Sequence, residues 1–298
     1  MRQWWTESTA AAGAVADRPL LWLPGALAWT VTVGWVALVI GVGRPLGDGE
    51  LTFIGAGVFA SGAWPWNAVA IGAAAFGVAL LAFALASAGE AALLRRAHAT
   101  PADVRHIFVL GVVCAAPVLV GLLGLATATV IVGPVEFNAP NQELGPVART
   151  AVRLSPILVT ILVAASAGAA IHAAAARSVV AGRTTVGALR GAPRALAGAG
   201  VSALAQASAL LIARIGYLAI CAILLRVLWA PIGIRLAETG INAAAALLLV
   251  GFVAIWLCLL LGGGALHAWG SVSWSRVLSA GVTEPGGSRE RMESSTGP

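Results

Sequence analysis

Apolar residues in this chain gather into six long runs, and charged residues are largely confined to the stretches between them. The runs lie near Leu20–Val42, Trp66–Ala88, Ile107–Val132, Ile157–Ala176, Val201–Leu228 and Ala243–His267. Crossing the roughly 30 Å hydrocarbon layer of a bilayer takes about 20 residues of α-helix, and each run is of that order. Only helices and closed barrels satisfy every backbone polar group in lipid, and unbroken apolar runs of this length favour helices. The pattern therefore predicts an all-α, polytopic integral membrane protein with six transmembrane helices. Residues 1–275 form one membrane domain in this reading. Residues 276–298, rich in Gly, Ser, Glu and Arg, form a disordered cytoplasmic tail.

The segments outside the runs add detail. Met1–Asp17 begins with Trp4 and Trp5, continues as an Ala-rich helix former, and reads as an interfacial cytoplasmic helix ahead of a retained first span. Leu51–Trp66 is apolar but short and broken by Gly55, Gly57, Gly62 and Pro65, which suits an interfacial or re-entrant segment. Pro117 predicts a kink in the third span. Pro134–Pro156, with Glu136, Asn138, Asn141, Gln142 and Glu143, is the most polar connection and reads as a solvated loop, with a ligand mouth as the alternative. Ala86-Ser87-Ala88-Gly89 and Ala165-Ser166-Ala167-Gly168 hint at duplicated hairpins, each turning through a short inner helix. Thr100 before Pro101, and Thr184 or Thr185, are the expected N-caps of those helices.

Composition supports the membrane class, with 59% hydrophobic and 10% charged residues. The net charge of +6 comes from Arg alone, since there is no Lys, and with this hydropathy it points to anionic lipid headgroups and away from nucleic acid. Arg2, 18, 95, 96, 105, 177, 183, 190, 194, 276, 289 and 291 fall on one side of the expected membrane, twelve against the five at 44, 149, 153, 226 and 235. The positive-inside rule then places both termini in the cytoplasm of a bacterial inner membrane. Trp22, Trp64, Trp66, Trp229, Trp269 and Trp274 lie near run ends, where indoles favour headgroups, while Trp35 and Trp256 are more central. Cys114, Cys221 and Cys258 fall inside runs and read as small core residues.

The arrangement resembles six-span bacterial families such as the YciC-like proteins and the membrane domain attached to some glycerophosphoryl diester phosphodiesterases. The resemblance rests on the six spans, the cytoplasmic termini and the stretch Ala176–Ala197, where Gly and hydroxyl residues precede an Arg-bearing helix. It implies a shape. It brings no catalytic residues, and the phosphodiesterase domain has no counterpart in these residues.

Few residues carry candidate chemistry. Arg214 falls at the middle of the fifth run, where a charge must face protein, water or a counter-ion. With no Asp or Glu inside any apolar run, Arg214 is read in two ways. It forms an intramembrane site for a lipid phosphate or carboxylate, or it sits at the interface because Ala195–Ala213 lies on the inner surface. Arg183, Arg190 and Arg194 are candidate contacts for anionic lipid. His172, on a face of small residues with Ala164 and Gly168, reads as an interhelical polar contact, with proton relay as the alternative. Gln206 and Ser208 read as interhelical hydrogen-bonding groups. Ser166 and His172, six apart, are expected on different helix faces. Glu90, His98, Asp103 and His106 share a cytoplasmic loop in this reading without the spacing of a metal site. Gly262-Gly263-Gly264 reads as a hinge and lacks the Lys of a phosphate loop.

No catalytic, cofactor-binding or metal-binding constellation is expected. The leading functional expectation is a non-catalytic membrane protein that organises or accompanies a membrane complex or lipid. The alternative is the permease subunit of a transporter driven by a separate cytoplasmic ATPase. Glu90-Ala91-Ala92 resembles the start of the EAA loop of importer permeases, but Leu93–Val104 lacks the Gly that loop requires.

Overall fold

The computed structural model describes residues 2–43, 50, 63, 66–98, 103–139, 144–240 and 242–280. The regular structure of these residues is entirely helical. Helix α1 is Arg2–Ala16. Helix α2 is Pro19–Val42, α3 Trp66–His98, α4 Val104–Asn138, α5 Pro146–Val180, α6 Thr185–Thr239 and α7 Ala243–Ala280. Among the described residues, five helical stretches are long and apolar enough to cross a membrane: Pro19–Val42, Val104–Gly133, Ala148–Val180, Thr185–Glu238 and Ala243–Ser279. Helix α3, 33 residues long, coincides with the second apolar run.

Local chemistry explains the helix ends and bends. Asp103 caps α4 by accepting a hydrogen bond from the Arg105 amide, so that helix begins at Val104. The expected cap at Thr100-Pro101 lies outside the described residues. Thr184 caps α6, accepting from the Gly187 amide at 3.2 Å. Within α2 one turn widens over Thr30–Gly34, where Thr30 and Thr32 hydroxyls donate back to the carbonyls of Ala26 and Ala28. Helix α6 breaks at Gly200, whose φ of 49° is open to glycine. An Arg-bearing segment, residues 185–199, thus precedes a separate rod, residues 201–239. Helix α4 runs through Pro117 without interruption.

Three expectations change. The polar connection Pro134–Pro156 is mostly helix, since α4 continues to Asn138 and α5 begins at Pro146. There Glu136 is buried between Arg149, at 2.8 Å, and Arg153, at 2.6 Å, while the Arg149 guanidinium also reaches the carbonyls of Leu144 and Glu136. The expected loop is an ion-paired clamp joining α4 to α5. The glycines at 262–264 are not a hinge. A methyl on Gly264 would overlap the Trp22 carbonyl, and one on Gly263 would overlap the Trp29 indole. Gly263 and Gly264 form the notch in which α2 lies against α7, and Gly262 faces Tyr217 of α6, since close approach drives packing where lipid removes the hydrophobic drive. The tail begins later than residue 276 because α7 extends to Ala280, its last turn held by Trp274 and Val277 in the interior. Residues 281–298 lie outside the described residues, as does nearly all of Leu51–Trp66.

Helix α1 lies against α7 and the start of the α6 rod. Trp4 Nε1 donates to Gln206 Oε1 at 2.9 Å, and Trp269 Nε1 donates to the Ser8 carbonyl at 3.0 Å. Arg276 approaches Glu7 at 3.8 Å. The chain's described beginning and end therefore meet at one end of the bundle, where Arg96 also donates to the Leu20 carbonyl. Trp22 joins this layer by donating to the Val15 carbonyl. Trp35, by contrast, lies 54% exposed on the outer face of the bundle.

Candidate functional site

Helices α4 and α5 pack along each other as a hairpin, and between this hairpin and α2, α3, α6 and α7 lies a cavity of about 460 Å³. Its position follows from small residues. Gly89 lets α3 close on the Pro24 carbonyl and Ala28 of α2, and Gly168 lets α5 close on the Cys114 carbonyl of α4. Residues from both Ala-Ser-Ala-Gly stretches line the space. Their shared property in the structure is close packing beside the cavity.

Glu90 is the centre of its charged part. One carboxylate oxygen lies 3.0 Å from His267 Nε2, and the other accepts from the Ser271 hydroxyl at 2.8 Å. His267 and Ser271 stand four residues apart on α7, hence on one face. Arg177 of α5 lies 3.6 Å from Glu90. Its guanidinium also donates to the Ser271 hydroxyl at 2.8 Å and to the Ala173 carbonyl at 2.9 Å, and its Nε donates to Ser275 at 3.2 Å. Three helices, α3, α5 and α7, are thereby tied through one carboxylate, and Arg214 of α6 lines the same cavity. Glu90 was expected in a cytoplasmic loop with His98, Asp103 and His106. Helix α3 instead continues to His98, so Glu90 points into the bundle, while Asp103 and His106 form an exposed pair at 3.0 Å.

The candidate residues divide sharply. Arg214 is inside the bundle: the α6 break lies at Gly200, so Arg214 belongs to the rod of residues 201–239 and not to a separate helix ending at Ala213. Its Nε is buried with no hydrogen-bond partner, and no carboxylate among the described residues reaches ion-pair distance. Arg183, Arg190 and Arg194 are exposed on or just before residues 185–199 and do not line the cavity. His172 does line it, with Nε2 3.4 Å from the Ile107 carbonyl of α4, a contact that requires the proton on Nε2. The interhelical role expected of His172 is thus visible. Gln206 is fully buried and accepts from both Trp4 and Ser273, at 2.9 and 2.7 Å, joining α1, α6 and α7. Ser208 is exposed and makes no interhelical hydrogen bond among the described residues. Ser166 and His172 share the cavity despite their angular separation, because α5 forms much of one wall; the Ser166 hydroxyl donates along its own helix to Leu162.

Taken by charge, the cavity sets Arg177 and Arg214 against Glu90, an excess of one positive charge before either His is protonated. Apolar walls flank this cluster, with Phe83, Val118, Leu162 and the Cys114 thiol on one side and Leu210 and Leu211 on the other. Among the described residues no group of three or more His, Cys, Asp and Glu side chains is arranged to hold a metal ion.

Comparison with protein-family models, with curated proteins and with solved structures finds no match for this chain. The chemistry of the cavity therefore carries the functional reading.

Sequence reasoning missed Glu90, Arg177 and His267 as a unit. The available signal was helical phase: Glu90 follows Phe83 and Ser87 at spacings of seven and three, on one face of α3.

Proposed function

We propose that this chain is a six-span, non-catalytic protein of the bacterial inner membrane that holds an anionic group, a phosphate or a carboxylate, inside the membrane on Arg214 and Arg177. The observation that carries this reading is the buried Nε of Arg214, without a hydrogen-bond partner, beside a largely apolar cavity. An uncompensated charge at membrane depth costs at least about 2.5–3.5 kcal/mol, so an anion supplied from outside the chain is its natural complement. Glu90 does not serve, because its oxygens are already engaged by His267, Ser271 and Arg177. In this reading α3 is the sixth span, and both termini and the exposed Arg183, Arg190 and Arg194 face anionic lipid in the cytoplasm. The resemblance to the YciC-like and phosphodiesterase-attached membrane domains accords with such a shape. The permease alternative gains nothing here, since Ala91 is fully buried and Glu90 turned inward, so neither is offered to an ATPase.

Native mass spectrometry of the protein released from its own membrane tests the reading. A bound species bearing phosphate or carboxylate is expected on the wild type and absent from Arg214→Leu. A bare wild-type protein, or the same species retained by the variant, would overturn it.

A further inference from the structure

The site's geometry selects among anions. Facing contacts fix the depth of Arg214: Gly270 of α7 rests on Leu210, and Gly262 rests on Tyr217, so Arg214 lies between these levels, near His267. The charged side chains thus gather around Glu90, with Ala207, Leu210, Leu211 and Trp274 lining the cavity on the α1 side of Arg214 and His267. Phe83, about two turns from Glu90 along α3, and Val118, a turn beyond Cys114 on α4, line the part of the cavity farther from α1. One helix face of α5 supplies both wall and rim. Leu162, Ala165 and Ala169, spaced three and four apart, line the cavity and yet are exposed at the bundle surface, Leu162 by 51%. The cavity is therefore polar within, apolar outward, and open on a flank that in a six-span protein faces lipid.

Resting on the anion-binding reading above, we propose that the ligand is a membrane amphiphile and not a water-soluble anion. Its oxyanion head lies between Arg177 and Arg214, and its hydrocarbon chain passes Phe83, Val118 and Leu162 and leaves through the α5 rim into the bilayer. A soluble anion would leave those apolar walls uncovered. An amphiphile covers both halves of the wall at once, and its admission along Ala165 and Ala169 requires no opening of the bundle. The pocket's 460 Å³ lies within the roughly 300–1,000 Å³ of small-molecule sites.

Cys114 provides the test, since its thiol is in the lining while Cys221 is buried elsewhere and Cys258 lies on the outer face. The full-length protein with Cys221→Ser and Cys258→Ser, in nanodiscs of uncharged lipid, is labelled with a small thiol reagent. Four additives are compared: oleate, oleyl alcohol, acetate and inorganic phosphate. Oleate at about ten times its dissociation constant is expected to slow labelling about tenfold. Oleyl alcohol, acetate and phosphate are expected to leave the rate unchanged, and Arg214→Leu is expected to lose the oleate effect. Should acetate or phosphate protect as well as oleate, the amphiphile assignment falls while the anion site stands. Protection by none, or equally by oleyl alcohol, removes both. Native mass spectrometry of the unmodified wild type with oleate gives a second measurement if the cysteine variants fold poorly: an adduct lost in Arg214→Leu supports the assignment, and its absence overturns it.

Discussion

At the scale of single residues, the fold depends on what surrounds Glu90. Among the described residues it is the one carboxylate lining the charged cavity, and Arg177, His267 and Ser271 all lean on it. Removing one partner of a buried ion pair is far costlier than the pair is worth, because the remaining charge stays uncompensated. Glu90→Ala should therefore lower stability by about 3 kcal/mol, read by thermal unfolding in detergent. Glu90→Gln keeps an acceptor for Ser271 and should cost clearly less. Equal losses in the two variants would mean that hydrogen bonding, and not charge, dominates there. Gln206 presents the neutral counterpart. Gln206→Leu orphans the indole of Trp4 and the hydroxyl of Ser273, and each such group costs about 1–3 kcal/mol. The effect should show as faster proteolysis within α1, while an unchanged cleavage rate would mean that Trp269 and Ser8 alone hold that helix.

At the scale of elements, α2 and α7 are joined by absence of side chain more than by its presence. Replacing Gly263 by Leu drives a side chain into the Trp29 indole, and overpacking of this kind costs about 1–3 kcal/mol. Gly124→Leu, at a position with open space around it, is expected to be neutral by the same thermal assay. A tolerated Gly263→Leu would contradict the notch. Helices of this kind are legible in a sequence because an apolar run long enough to span is a local property, and the apolar windows coincide with long helices. The site was legible only in part. Arg214 stood out because a charge amid apolar residues is conspicuous by itself. Glu90 and Arg177 did not, because hydropathy assigns charges near the end of a run to the loop, whereas α3 continues to His98 and α5 to Val180. Which polar side chains meet is set by the crossing of helices far apart in sequence, as with Glu90 and His267, and no window contains both. The glycine notch was misread for the same reason: flexibility is the local meaning of three glycines, and proximity is the tertiary one.

For the whole molecule, the two ends of the bundle differ in how their arginines are used. At the α1 end Arg183, Arg190 and Arg194 are exposed, and Arg96 is spent on a carbonyl of the neighbouring chain segment. At the opposite end Arg149 and Arg153 converge on the buried Glu136 and serve the α4–α5 clamp. Topology follows the count of basic residues in short flanking segments, with acidic residues contributing little, so the clamp does not alter the sense of the bias. The exposed Arg183, Arg190 and Arg194 sit at the α1 end, where anionic lipid would be drawn. A reporter active only outside the cytoplasm should therefore stay silent when fused after Arg95 or Arg190 and work when fused after Gly240, between α6 and α7. Activity after Arg190 would invert the molecule. The cavity's charged cluster would then face the outer leaflet, and an amphiphile would have to be sought there, with the same arginines receiving its head.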